Sequence, residues 1–376
     1  MRAEAPPEVL HVRSSSGLYG AEYVLLGLIP ALRDIGIGGR LLCLNNPYLQ
    51  SQSLQARAQA LGVPAETLPC RGRFDLATVR ALRRTLRAAP DAIVHVHDYK
   101  SALYTFLARS SSAHRIVATS HGHFATSLKL RTYQRLEIQL MRRFDEVCIV
   151  SESMRPLLRR AGIADTRIQL IENGIDTRRF SPDARPWPRD EIPLPADAFV
   201  FGAAMRLTEQ KNPLGLVDAF TRVVEALPNS HLLIAGAGEL RAPVLAQIEK
   251  HGLSAHVHLL GARDDLERFY SLLDVFVLPS WYEGLPLALL EAMACAKPVV
   301  ATAVGQVPAV LRDLPVEMVA PGDTAALAQA MLTAVGNRDG ALLRERVLSQ
   351  YSVKSMAAAY AGVYRTIGGR HGRAAA

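Results

Sequence analysis

VFVLPSWYEGLPLALLEAMACAKPVVAT, residues 275–302, is read as a strand, a loop, a helix and a second strand in quick succession. The runs at 275–279 and 298–302 are apolar at nearly every position, as in strands covered on both faces. The stretch between them, 286–296, has the length and composition of a helix. A buried strand, a crossover helix and another buried strand make a unit of a parallel sheet.

The same alternation runs outward in both directions. Downstream of residue 198 the strand candidates are 199–204, 231–236, 256–261, 275–279, 298–302 and 316–320, with helices at 212–227, 240–251, 264–273, 286–296 and 324–335. Upstream they are 9–13, 40–44, 92–97, 115–120, 146–150 and 167–171, with amphipathic helices such as 20–34, 75–88, 129–143 and 152–160. Between the halves lies SPDARPWPRDEIPLPAD, 181–197, with five prolines among charged residues. Proline fixes φ and donates no hydrogen bond, so this segment reads as a boundary. The expected architecture is α/β, with two Rossmann-like doubly wound domains facing a cleft. Residues 1–180 form the first domain, 181–350 the second, and 351–376 a last helix and tail. Ligands of such sheets bind beyond the carboxyl ends of the strands.

The chain has 376 residues, 49% of them hydrophobic and 21% charged, enough for two cores. Four scattered cysteines, Cys43, Cys70, Cys148 and Cys295, have no metal or disulfide spacing and read as buried thiols in a reducing compartment. No signal-peptide h-region or membrane-length apolar run is visible, so a cytoplasmic location is expected. The net charge of +8 is uneven: residues 1–180 carry 25 Lys+Arg against 15 Asp+Glu. An anionic membrane surface at the inner face is one expected partner; a solvated basic face explains the bias equally well. Stretch 129–143, with Leu130, Tyr133, Leu136, Leu140 and Met141 on one face and basic residues beside them, could rest on lipid or simply face the core. Nothing interleaves aromatic or groove-reading elements with the basic residues, so no nucleic-acid partner is expected.

The chemistry concentrates after the strand ending at Pro279. Leu285-Pro286 opens the helix, with proline expected at its first position. The amides of Gly284, Leu285, Pro286 and Leu287 are read as donors at a positive helix end, a site for an anion. Glu283 stands beside them, and Glu291 lies about 12 Å further on if the rise is helical. That spacing suits one carboxylate on a hexose and one on a ribose across a pyrophosphate. Arg206 and Lys211 follow the strand at 199–204, where two cations could neutralise phosphates. Gly17 and Gly20 follow the first strand and open a helix, allowing close backbone approach to a phosphate, although the pattern is not G-x-G-x-x-G. His121 ends a strand and could hydrogen-bond a sugar or phosphate. His95, His97, His121, His123 and Asp98 offer a metal cluster on paper, but satisfied core histidines are the commoner outcome. Asp264-Asp265 reads as a helix start.

These elements together resemble family 4 of the retaining glycosyltransferases, which have the GT-B fold. Glu283-x7-Glu291 within YEGLPLALLEAMA is similar to the family's E-x7-E motif. Arg206 and Lys211 match its phosphate-binding pair, and Ala235-Gly236-Ala237-Gly238-Glu239 its glycine turn. Glu172-Asn173-Gly174-Ile175-Asp176 matches its N-G-I/V-D element, Thr119-Ser120-His121-Gly122 its T-x-H-G element, and Gly17–Glu22 its glycine-rich first loop. The likeness covers about residues 9–366. It departs from the pattern where Gln306 and Ala309 replace a glycine and a glutamate, and where Leu285 replaces an aromatic.

The resemblance implies a hexosyltransferase that uses a nucleotide-sugar donor, retains anomeric configuration, and needs no metal or other cofactor. Its donor would bind through Arg206, Lys211, Glu283, Gly284, Leu285, Pro286, Leu287 and Glu291 of the second domain, with Gly17 and Gly20 of the first. Glu283, His121, Arg206 and Lys211 would carry catalysis. The acceptor would be a saccharide or a lipid-linked saccharide in cell-surface polysaccharide or glycolipid synthesis. The last helix, 353–366, would cross back onto the first domain. A nucleotide-sugar epimerase of the same fold, or a non-catalytic nucleotide-sugar-binding protein, are the alternatives.

Overall fold

The computed structural model describes residues 8–369, apart from 16, 19, 46–53, 73, 110–113, 122–127, 186, 188–191, 193 and 338. Its contacts divide the chain into two compact units, Met1–Gly174 with Val353–Ala376, and Ile175–Ser352.

The first unit holds strands β1 (Val9–Ser14), β2 (Gly39–Asn45), β3 (Ala65–Pro69), β4 (Ile93–Val96), β5 (Ile116–Ser120), β6 (Glu146–Ile149) and β7 (Ile168–Leu170). They form one parallel sheet in the order β3-β2-β1-β4-β5-β6-β7. The connecting helices are α1 (Gly20–Asp34), α2 (Leu54–Ala60), α3 (Leu76–Ala88), α4 (Tyr99–Ala108), α5 (Leu128–Met141) and α6 (Arg155–Arg160). Leu10, Val12, Val94, Val96, Ala118 and Val147 are buried on β1, β4, β5 and β6, which accounts for their unbroken apolar runs. Two helices and a strand escape the sequence pattern. β3 is an edge strand, AETLP, with only Leu68 buried and a closing proline, so it lacks the apolar run of a central strand.

The second unit holds β8 (Phe199–Ala204), β9 (Ser230–Ala235), β10 (Val257–Gly261), β11 (Val275–Leu278), β12 (Val299–Thr302) and β13 (Met318–Val319). These too are parallel, in the order β10-β9-β8-β11-β12-β13. Its helices are α7 (Pro213–Ala226), α8 (Arg241–Lys250), α9 (Leu266–Leu272), α10 (Leu287–Ala294), α11 (Val307–Val310), α12 (Thr324–Thr333) and α13 (Gly340–Gln350). The proline-rich segment belongs to this unit's core: Phe180, Trp187 and Ile192 are buried there. The contact boundary therefore falls at 174/175, before the prolines, where the N–H of Ile175 donates to Tyr351 O at 2.9 Å.

The final helix, α14 (Val353–Gly369), belongs to the first unit. It packs on α1, where a Cβ at Gly27 would lie 3.2 Å from the Val353 side chain. Two tyrosines fix it to the sheet. Tyr360 Oη is 2.9 Å from Thr119 Oγ1, and Tyr364 Oη is 2.7 Å from His95 Nδ1. All four cysteines are buried free thiols. No helix among the described residues is long and apolar enough to cross a membrane.

Candidate functional site

Each sheet reverses its strand order once, next to its first strand: between β1 and β4 in the first unit, and between β8 and β11 in the second. The loops diverge at such a point, leaving a crevice beyond the strand ends. Gly17 and Gly20 follow β1 at the first of these points, and Arg206, Lys211 and Glu283 follow β8 and β11 at the second.

In the second unit the chain leaving β8 runs through Met205, Arg206 and Leu207 beside the glycine turn after β9. Met205 N–H donates to Ala235 O at 2.9 Å and Leu207 N–H to Ala237 O at 3.0 Å. The turn needs its glycines. A Cβ on Gly236, at φ +148°, would lie 1.7 Å from Met205 O, and one on Gly238 would lie 2.3 Å from Leu207 O. The turn thus braces the segment that presents Arg206, which is exposed and hydrogen-bonds Gln210 Oε1 at 3.3 Å.

Gln210 joins this segment to the loop after β11. Its carbonyl accepts from Trp281 N–H at 2.9 Å, and its side-chain amide donates to Tyr282 O at 3.0 Å. Asn212 sits in the left-handed region, φ 51°, caps α7 by accepting from Gly215 N–H, and donates to Pro279 O at 3.3 Å. These contacts bring Lys211 to Glu283: Nζ to Oε1 is 2.6 Å, with the side chains 17% and 5% exposed. Ser280 Oγ donates to the same carboxylate oxygen at 2.6 Å, and Thr302 Oγ1 donates to Ser280 O at 2.7 Å. Glu283 is therefore a buried carboxylate held by one cation and one hydroxyl.

The loop is pinned from a third side. Gln306 N–H donates to Gly284 O at 3.0 Å, and Gly305 turns at φ +55°. A Cβ there would lie 2.1 Å from Glu283 O. Ser280 did not stand out in the sequence, because it acts through a contact made only on folding.

The helix start differs from the expectation. α10 begins at Leu287, and Pro286 is the capping residue before it, with φ −75° and ψ 111°. Pro286 has no N–H, so of the four amides assigned to anion binding only those of Gly284, Leu285 and Leu287 exist. No hydrogen bond among the described residues takes them up. Pro286 instead supplies the carbonyl that accepts from Leu289 N–H at 3.2 Å. The Leu285 side chain is buried in the core, so its backbone alone faces the loop. Glu291 lies one turn into α10, where Tyr270 Oη donates to its Oε2 at 2.8 Å. Burial raises its carboxyl to about 7, against the lowering effects of Tyr270 and Arg179. Asp265 stands before α9 and is held by Arg263 at 2.9 Å rather than by a capping bond.

In the first unit Gly17 lies in the loop after β1, its N–H 3.2 Å from Ser15 Oγ, and Gly20 is the exposed first residue of α1. His121 directly follows β5 and is half-buried, its ring stacked on His97 with centroids 5.7 Å apart. His123 and Gly122 lie outside the described residues. Sequence reading missed Arg13 and Glu137 beside this point, and named Asp98 only as a metal ligand on paper. Arg13 pairs with the buried Glu22 at 2.8 Å and donates to His97 O at 2.5 Å. Asp98 caps α4 and accepts from Ser14 N–H at 2.7 Å. Glu137 on α5 is 2% exposed, and burial, with Asp98 nearby, raises its carboxyl to about 8.

One ring nitrogen from each of His11, His95 and His97 lies within 4.8 Å of the others. Their bonding argues for a core network. Both nitrogens of His95 are engaged, by Tyr364 and Thr119 at 2.7 Å each, and His11 Nδ1 meets His97 Nε2 at 3.1 Å. The His95 and His97 rings lie with centroids 3.9 Å apart, tilted by 41°. Burial pushes all three well down, His11 to about 3, so they are neutral.

Comparison with known proteins bears on both units. Residues 19–179 match the family model Glycosyltransferase Family 4, and residues 197–337 match Glycosyl transferases group 1. A UDP-Gal:alpha-D-GlcNAc-diphosphoundecaprenol alpha-1,3-galactosyltransferase of Escherichia coli is 28% identical over 77% of this chain and 78% of its own. A phosphatidyl-myo-inositol mannosyltransferase of Mycobacterium tuberculosis is 28% identical over 83% of each. The crystal structure of Anabaena HepE in complex with UDP-glucose matches with TM-score 0.79 at 21% identity, covering 96% of this chain and 99% of that one, which shows the shared fold. The chain belongs to the family 4 glycosyltransferases, and its two parallel-sheet units are those of the GT-B fold.

Proposed function

We propose that the chain transfers a hexose from a nucleotide-sugar, with retention of configuration and without a metal, to a saccharide carried on a lipid at the inner face of the cytoplasmic membrane. The observation that carries this reading is the Lys211–Glu283–Ser280 cluster beside the Gly284, Leu285 and Leu287 amides. It offers a fixed carboxylate for sugar hydroxyls, cations for a diphosphate and N–H donors at a helix end.

Arg206 and Lys211 neutralise the diphosphate as the C1–O bond breaks and its electron pair passes to the phosphate oxygen. Glu283 orients the sugar and stabilises the positive charge at C1. The acceptor oxygen bonds C1 on the face the phosphate leaves, and its proton passes to the departing phosphate. Glu291 accepts the ribose hydroxyls, held in orientation by Tyr270. The cations supply the charge neutralisation that a metal gives elsewhere. In the first unit Arg13, Asp98 and His121 form the polar wall for an acceptor. A uridine donor is favoured because relatives bear UDP-sugar names and complexes. A diphosphate-linked polyprenol saccharide is the favoured acceptor class on the name of the Escherichia coli relative.

A thermal-shift panel of UDP-, GDP- and ADP-hexoses tests the donor site. The expected result is a rise with UDP-hexoses that Arg206→Ala/Lys211→Ala abolishes. A shift that survives the double substitution would place the diphosphate elsewhere, and no shift with any donor would remove the reading.

A further inference from the structure

We propose that α3 is the element that lays the chain on an anionic lipid surface. This deepens the reading above, in which the acceptor is lipid-borne, and names the surface of the protein that meets the bilayer.

The helix has two faces. Thr78, Val79, Leu82 and Leu86 are buried against the first unit's core. On the other side Leu76, Arg80, Arg84 and Arg87 fall at spacings of four, four and three, which is one stripe of a helix. All four are exposed, and among the described residues no carboxylate pairs with Arg80, Arg84 or Arg87. The helix contains no acidic residue. The carboxylate of Asp75, just before it, is engaged by the N–H groups of Ala77 at 2.8 Å and Arg71 at 3.0 Å.

Arg83, on the flank of the stripe, donates to Leu107 O at 2.8 Å and Ala108 O at 3.1 Å, the last carbonyls of α4. It fixes the helix to the unit, leaving the other three arginines to solvent. At the amino end Phe74 is 50% and Leu76 57% exposed, more than any other large apolar side chain among the described residues. Arginines in a row attract anionic headgroups, and two adjacent apolar side chains can enter the acyl boundary. A nucleic acid would use the arginines and could stack on Phe74 but would leave Leu76, 57% exposed, without a role.

The stretch 129–143, the alternative from sequence, has most of the described part of its apolar face engaged. Ile138, Leu140 and Met141 are buried in the core, and Tyr133 stacks on Tyr99 with centroids 4.6 Å apart. Among the described side chains of that face only Leu136, 38% exposed, is open, less apolar surface than Phe74 and Leu76 present.

The test is sedimentation of the full chain with phosphatidylcholine vesicles, with and without phosphatidylglycerol. Binding is expected only with phosphatidylglycerol. Arg80→Gln/Arg84→Gln/Arg87→Gln should weaken it about a hundredfold, at roughly fivefold per arginine. Phe74→Ser/Leu76→Ser should weaken it at least about tenfold. Wild-type protein that ignores anionic vesicles, or an arginine variant that binds as wild type, would overturn the proposal. A Phe74/Leu76 variant that binds undiminished, with single-stranded DNA competing off the wild type, would also overturn it in favour of a polyanion surface. Each variant should keep its circular dichroism and its donor-induced thermal shift. Failure of the wild type to bind any nucleotide-sugar would sink the donor reading and leave the vesicle result standing.

Discussion

Lys211→Met should destabilise the second unit by about 3 kcal/mol, far more than removal of a surface lysine. The ammonium is 17% exposed and sits 2.6 Å from a carboxylate that is only 5% exposed. Removing one partner of a buried pair costs about 3–5 kcal/mol, because the remaining charge is stranded. Ser280 still donates to Glu283, which places the cost at the lower end. Glu283→Gln should cost about 1 kcal/mol, since Lys211 can turn towards water and the amide can keep the Ser280 contact. The double variant should cost well under the sum, giving a coupling of about 2 kcal/mol. Both tryptophans, Trp187 and Trp281, belong to the second unit, so urea unfolding followed by tryptophan fluorescence reads that unit directly. Transfer activity should be lost in all three variants. A Lys211→Met cost below about 1 kcal/mol, with additive single effects, would refute the picture of a closed, charged pair.

The first unit should lose stability in acid. Buried His11, His95 and His97 have folded pKa values below the unfolded value, so their contribution is complete above about pH 6.5 and falls away below it. Glu137, raised to about 8, acts in the opposite sense and offsets part of the loss. From pH 7 to pH 5 the balance is a net loss of stability, three histidines outweighing one carboxyl; denaturation by circular dichroism that is flat or strengthens over this range would contradict it. Gly305→Ala should lower kcat/KM by about a hundredfold, since a Cβ 2.1 Å from Glu283 O must displace the loop. Unchanged kinetics in that variant would mean that the position of the loop does not govern transfer.

The alternation of apolar runs with helix-length stretches determined the fold class, because strands covered on both faces must be apolar at consecutive positions and a parallel pair must be joined by a crossover. It also put Glu283, Arg206 and Lys211 after strand ends, since motif order along a chain is local information. The edge strand β3 was lost to the same rule, having one buried residue and no pattern to read.

Tertiary structure decided what the motifs do to one another. Residues 211 and 283 are joined by the adjacency of β8 and β11, a strand order that no local pattern encodes. Gly236 and Gly305 need their hydrogen because distant carbonyls occupy the space of a Cβ. His95 of β4 is buried where α14, more than two hundred residues further on, meets it with Tyr360 and Tyr364. The arginines of α3 face solvent because its other side is used up in the core. Pairing, close approach and burial are properties of the folded chain: each requires two segments distant in sequence to occupy neighbouring space.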